Sequence, residues 1–253
     1  MPHAPSLFDP APEASGDAAL RAKLLRVHEA LCAAHGCPVP WFSERDPLSE
    51  LVSALLSHRT KNADSARAFA RLRERFPTWE AVRDAPTDEV EAAIAPCTWP
   101  EQKAPRIQAV LAEIARARGR LSLDGLADVP VREARAWLEG LPGVGPKTSA
   151  AVLLFSRLRR PALPVDSHHH RVAQRLGLIP AKMAVGPSHR ALEALLPPDW
   201  GAREVYDHHE ALMLHGQRTC HWRRPRCRAC PVLAECPHGR REVSKRNAAS
   251  GVG

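Results

Sequence analysis

Four of the chain's seven cysteines fall within seventeen residues near its C-terminus: Cys220, Cys227, Cys230 and Cys236, spaced C-x6-C-x2-C-x5-C. Thiols so close in sequence can surround one metal centre, and the intervening loops are long enough to turn each sulfur inward. Zinc and a cubane iron–sulfur cluster both accept four thiolates, and the spacing does not choose between them. The opening, Met1-Pro2-His3-Ala4-Pro5, lacks the basic segment and apolar stretch of a secretory signal. A cytoplasmic location is therefore expected. With it go reduced, metal-bound or catalytic cysteines rather than a disulfide framework.

The chain upstream reads as helical throughout. Leu24, Val27 and Leu31 share one helix face, as do Leu48, Leu51, Val52, Leu55 and Leu56. Asp46 precedes the second stripe as an N-cap, with Pro47 at the first helical position. Phe69, Leu72 and Phe76 repeat the spacing before Pro77, and Ile107, Val110, Leu111 and Ile114 do so before Gly119. No stretch alternates with period two. Aromatic residues make up 5% of the chain, and 24 prolines punctuate short helices. An all-α protein is expected, of one large or two small domains for 253 residues. Apolar content of 44% and charged content of 25% fit a folded globule without a membrane span. Residues 1–17 and 238–253 read as irregular tails.

The formal net charge is +8, which points to a polyanionic partner, nucleic acid before membrane. Much of it sits around the cysteines. Residues 218–241 carry seven arginines and a single acid, Glu235. Arg223, Arg224, Arg226 and Arg228 lie in the cysteine loops themselves, where a metal staple would make them a rigid phosphate clamp.

A second motif is Leu141-Pro142-Gly143-Val144-Gly145-Pro146-Lys147-Thr148, between a helical stretch ending near Glu139 and an apolar one over 150–158. Its glycines permit positive φ and close backbone approach, and their amides, at the head of a helix, point at an anion. The result is a helix–hairpin–helix that grips a nucleic-acid backbone without reading bases. The spacing of a Walker loop is absent. Lys147, just inside the second helix, suits a phosphate contact on these residues alone, or an amine nucleophile. Asp166, in Val165-Asp166-Ser167-His168-His169-His170-Arg171-Val172, is a helix cap or a carboxylate that stabilises an oxocarbenium-like sugar. The three consecutive histidines face different directions on a helix and do not form a metal triad.

These motifs together resemble endonuclease III, the helix–hairpin–helix DNA glycosylase/AP lyase family. The resemblance covers roughly 20–237 and rests on 141–148, on Val165-Asp166-Ser167-His168 with Arg171-Val172, on His215-Gly216, on the four cysteines, and on Leu55-Leu56-Ser57 and Lys103-Ala104. It implies a two-lobed all-α fold: a six-helix barrel lobe over 40–159, and a cluster lobe pairing an N-terminal helix, 18–39, with 160–237. It also implies a [4Fe-4S] cluster on Cys220, Cys227, Cys230 and Cys236, and a monomer acting on double-stranded DNA with damaged bases or abasic sites. Lys147 would be the Schiff-base nucleophile that removes oxidised pyrimidines and cuts by β-elimination, with Asp166 assisting and Glu139 and His168 in the pocket. Leu141, Gly143, Gly145 and Thr148 would belong to the DNA-binding hairpin, and Arg223, Arg224 and Arg226 to the loop. Two positions depart from the familiar pattern. Arg59 stands where a glutamine is usual, and Thr98-Trp99-Pro100 replaces a Gly-Leu-Tyr loop, so Trp99 is a larger wedge for the flipped base's space or a core residue. An adenine-mismatch glycosylase shares the hairpin and aspartate but lacks the lysine.

Overall fold

The computed structural model describes residues 15–249, which form helices and connecting loops; no strand occurs among them. The N-terminal reading for 1–14 lies outside the described residues, and the helix α1, Ser15–His35, already begins within the expected tail. It is followed by α2 (Pro47–Ser57), α3 (Asn62–Arg75), α4 (Trp79–Asp84), α5 (Thr87–Ala93), α6 (Pro100–Arg118), α7 (Val131–Glu139), α8 (Pro146–Phe155), α9 (Ser167–Leu176), α10 (Val185–Glu193), α11 (Ala202–Arg218) and α12 (Pro237–Ala249). Local signals explain the boundaries. The Asp46 carboxylate accepts from the amides of Leu48 and Ser49 at 3.0 and 2.9 Å, with Pro47 at the first turn. Gly119, at φ 69°, closes α6.

Two cores divide the molecule. The first gathers Leu51, Leu55, Leu72, Val82, Ile94, Ile107, Leu111 and Leu138 from α2 to α7. The second joins Leu24, Val27 and Leu31 of α1 to Val172, Leu176, Leu192, Tyr206 and Leu212, and reaches Val232 and Cys236 in the cysteine segment. Helix α8 belongs to both: Ala150, Val152 and Leu153 enter the first core, Ala151, Leu154 and Phe155 the second. An α-helix apolar on every side must be covered on every side. The sequence Ala150-Ala151-Val152-Leu153-Leu154-Phe155 therefore makes α8 the wall between the lobes and sets its first turn on their seam.

Two expectations are corrected. Residues 237–249 are a helix rather than a tail. Pro237 occupies the first turn, the Gly239 amide donates to Cys236 Sγ at 3.2 Å, and Arg228 reaches Asn247. Its Arg, Glu, Lys and Ala content favours helix while leaving no apolar stripe to read. The second concerns cysteine redox state. Cys32 and Cys37 form a disulfide: the Gly36 turn at φ 83°, closed by Gly36 N to Cys32 O at 2.8 Å, brings their Cα atoms to 4.9 Å. Cys97 and the four clustered cysteines are free.

Candidate active site and nucleic-acid interface

The hairpin is built by close approach. Gly143, at φ 74°, sits where a Cβ would stand 2.6 Å from Cδ of Arg106 on α6, so a side chain there would meet both backbone strain and the arginine. Gly145 is the N-cap of α8 in extended conformation at φ −106°, so the turn draws on the positive-φ freedom of one glycine. The amides of Gly143 and Gly145 meet no protein acceptor among the described residues and stand at a helix head, an anion-binding arrangement. Beneath them Ser149 donates to Glu139 Oε1 at 2.7 Å, and Arg135 joins Glu139 and Glu193.

Lys147 is half-buried in the first turn of α8. Its charge reaches both lobes. His58, at the end of α2, is depressed to about 4 by burial first and then by Lys147, Lys103 and Arg106. His209 on α11 is depressed to about 3 by burial and then by Lys147. Asp166 caps α9, Oδ1 accepting from the His169 amide at 2.7 Å. The next residue along α11, Glu210, is pushed up to about 7 by burial and then by Asp166 and Asp207. Helix α11 comes this close to α9 because Gly216 has no side chain: a Cβ there would lie 2.8 Å from Cβ of His168. Arg171 locks the crossing, donating to Gly216 O at 2.8 Å and Cys220 O at 3.1 Å and pairing with His168 Nδ1 at 3.1 Å.

On the first lobe, His58, Arg59, Trp99, Gln102, Lys103 and Arg106 line a groove holding about 730 Å³ of empty space and open to solvent. Buried Lys103 orders its rim, donating to Leu56 O, His58 O and Thr60 Oγ1 at 2.7, 2.8 and 2.7 Å. Thr60 Oγ1 also accepts from the Thr98 amide at 3.1 Å, tying the two loops together. Arg59 and Trp99 both hold left-handed backbone, φ 50° and 55°, strain of the kind that concentrates at working sites. Trp99 is 46% exposed, so it is not part of the core.

At the other end, Cys220, Cys227, Cys230 and Cys236 line one pocket, walled by Val172, Leu176 and Val232. Arg175 Nη1 lies 3.2 Å from Cys220 Sγ, and His215 Nε2 3.6 Å from Cys230 Sγ. Burial pushes the Cys230 thiol up to about 11. No three His, Cys, Asp or Glu side chains among the described residues converge as ligands of a single ion.

Residues 52–198 match the family model described as HhH-GPD superfamily base excision DNA repair protein. The chain belongs to that superfamily. Its relatives include endonuclease III of Thermotoga maritima, 31% identical over 199 residues, covering 78% of this chain and 86% of the relative. The endonuclease III-like protein 1 of Bos taurus is 33% identical over 192 residues, covering 75% of this chain and 58% of the relative. The chain spans 46% of an Arabidopsis thaliana relative, a DNA glycosylase by name, at 39% identity over 137 residues and 54% of this chain. Among solved structures, a trapped endonuclease III–DNA covalent intermediate superposes with a TM-score of 0.73 at 25% identity, over 88% of this chain and 98% of that one.

In this endonuclease III homologue the sequence-named residues separate into two kinds. Arg59 and Trp99 line the first-lobe groove, Lys147 and the hairpin glycines stand at the head of α8 and Asp166 and His168 at the head of α9, and Arg223, Arg224 and Arg226 are exposed on the cysteine loop. Leu141, 4% exposed, and Thr148, 2% exposed, turn inward instead. Leu141 fills the first core, and the Thr148 hydroxyl meets His58 Nε2 at 3.0 Å. Glu139 serves the hairpin through Ser149. The sequence placed Arg171 in a motif without a role and gave Arg175 none, because their partners are the carbonyls of Gly216, Cys220, His221 and Trp222 far along the chain; an arginine one helical turn from another, 171 and 175, was the available signal. No helix among the described residues is long and apolar enough to cross a membrane.

Proposed function

We propose that this endonuclease III homologue is a bifunctional DNA glycosylase and AP lyase that removes oxidised pyrimidines from duplex DNA. The supporting observation is that Lys147, at the head of α8, and Asp166, at the head of α9, act electrostatically on consecutive residues of one helix, His209 and Glu210 of α11. A base flipped from the duplex places its sugar there, with Trp99 filling the vacated space and the Gly143 and Gly145 amides holding a backbone phosphate. Lys147 Nζ attacks C1′ as the bond from C1′ to the base breaks. The bonding electrons leave with the base, which takes up a proton. The Asp166 carboxylate stabilises the positive charge that develops on the sugar. Opening of the sugar gives an imine between Nζ and C1′. Loss of a C2′ proton then expels the 3′ phosphate and cuts the strand, and water returns the amine.

The four cysteines fit a [4Fe-4S] cluster: four thiol donors and no competing carboxylate line one pocket, with Val172, Leu176 and Val232 on its apolar wall. Bound there, the cluster supplies covalent staples for the arginine loop rather than a reacting atom. The reaction is tested by borohydride trapping on lesion-containing duplex. Wild-type protein gives a covalent adduct; Lys147→Gln gives none and cuts no strand, yet still binds. A normal adduct yield from Lys147→Gln identifies another amine as nucleophile and refutes the assignment.

A further inference from the structure

The most exposed large apolar side chain among the described residues is on the cysteine loop. Trp222 is 72% exposed, beside Arg223, Arg224 and Arg226, all exposed. The loop carrying it is held firmly. Arg175 donates to the carbonyls of His221 and Trp222 at 2.7 and 2.9 Å. Arg226 N closes the loop on Thr219 O at 3.0 Å, Arg224 turns the chain at φ 53°, and Cys227 is buried. Arg171 lies 5.8 Å from the ring centre, leaving most of the ring to solvent. An exposed indole on a fixed backbone loses little entropy on binding and gains by desolvation, the usual role of Trp at interfaces. The charge around it selects the partner. Glu235, the segment's sole acid, has its carboxylate engaged by Arg26 at 2.9 and 3.0 Å, so no free carboxylate within the loop offsets the guanidinium groups.

We propose that Trp222 is a duplex-anchoring residue: its ring packs on the sugar–phosphate backbone of DNA while Arg223, Arg224 and Arg226 take the flanking phosphates. This rests on the reading of the loop as a DNA grip. The contact reads no base and adds apolar area rather than charge, so it is separable from the arginines by salt dependence.

The test measures binding of the full-length, cluster-loaded protein to undamaged and lesion-containing duplex across a salt series, by fluorescence anisotropy. Trp222→Ala should weaken both roughly fivefold to tenfold, the scale of one aromatic contact, with the slope of log affinity against log salt unchanged. Trp222→Phe should recover most of the loss. Unchanged affinity of Trp222→Ala overturns the proposal, and so does a loss confined to lesion duplex, which marks a base reader. A loss accompanied by a flatter salt slope also overturns it, because the ring would then act by holding the arginines in place. Charge reversal of Arg223, Arg224 and Arg226 separates the two levels: if that leaves binding and slope unchanged, the DNA-grip reading itself fails; if it weakens both while Trp222→Ala does nothing, only the anchoring role fails.

Discussion

Asp166 does two jobs with one carboxylate, and the two are separable. It caps α9 through the His169 amide at 2.7 Å, and in the proposed reaction its charge stabilises the sugar that Lys147 attacks. Replacing it by asparagine keeps an oxygen that accepts from an amide, so the cap largely survives; the negative charge does not. Asp166→Asn should therefore slow base removal by on the order of 10²–10⁴-fold, the usual effect of removing an electrostatic or proton-transfer group. Cleavage of a pre-formed abasic site should suffer much less, because the base has already left and Lys147 has only to condense with an aldehyde. Single-turnover assays on the two substrates, with Tm measured alongside, check this; equal losses on both would show that Asp166 acts on Lys147 rather than on departure of the base. At this scale the sequence was legible where a compact motif sets the local backbone, as for the Gly143 turn at φ 74° and the Asp166 cap of α9. It was not where the partner is remote: the placement of Thr148 against His58 and of Arg171 against Gly216 depends on which helices cross, a fact of packing rather than of spacing.

The helices were legible wherever an apolar stripe or a cap marked them, as in α2 and α6, and α12 was missed because it has neither. The buried histidines are the element-scale feature with the largest physical consequence. His169 of α9 and His208 of α11 are fully buried with ring centres 5.5 Å apart, and neither ring nitrogen of either has a hydrogen-bond partner among the described residues. His209 lies beside His169 at 5.8 Å. Burial and mutual repulsion hold His208 well below its ordinary value, and burial leads in depressing His169 and His209 to about 3 from 6.5. The unfolded chain binds protons at these rings below pH 6.5 while the folded chain does not, so stability falls as pH drops from there toward 3. By pH 5 the loss is of the order of 2 kcal/mol for each of His169 and His209. Tm measured from pH 7 to pH 5 should fall steeply, and His169→Phe should flatten the slope. A Tm independent of pH over that interval would show that these rings gain protons in the folded state as easily as in the unfolded one.

At the scale of the whole molecule, two cores share one helix, and the cysteine segment belongs to only one of them. The first core draws on residues between Leu48 and Ala162 and on nothing from the cysteine loop. The second includes Val232 and Cys236, with Cys220 and Cys230 packed against it, and holds α1 through Leu24, Val27 and Leu31. Without the proposed cluster as its staple, the short, arginine-rich segment would have to hold together against its own repelling charges, beside the wall of Val172, Leu176 and Val232. Cluster loss should therefore loosen the second lobe first. In hydrogen exchange of the cluster-free protein, protection should fall over 219–249 and then along α9 and the inner face of α1, while α2, α5 and α6 keep theirs. Helix α8 decides how far the damage spreads. Its Ala151, Leu154 and Phe155 lose part of their cover, but Ala150, Val152 and Leu153 remain packed in the first core, so its hydrogen bonds should persist and Lys147 should stay at the seam. The cluster-free protein then keeps the lysine but not the grip: trapping of an abasic site should survive at high protein concentration and low salt, while affinity for duplex falls. A uniform loss of protection across both lobes would instead mean that the shared helix couples them into one cooperative unit.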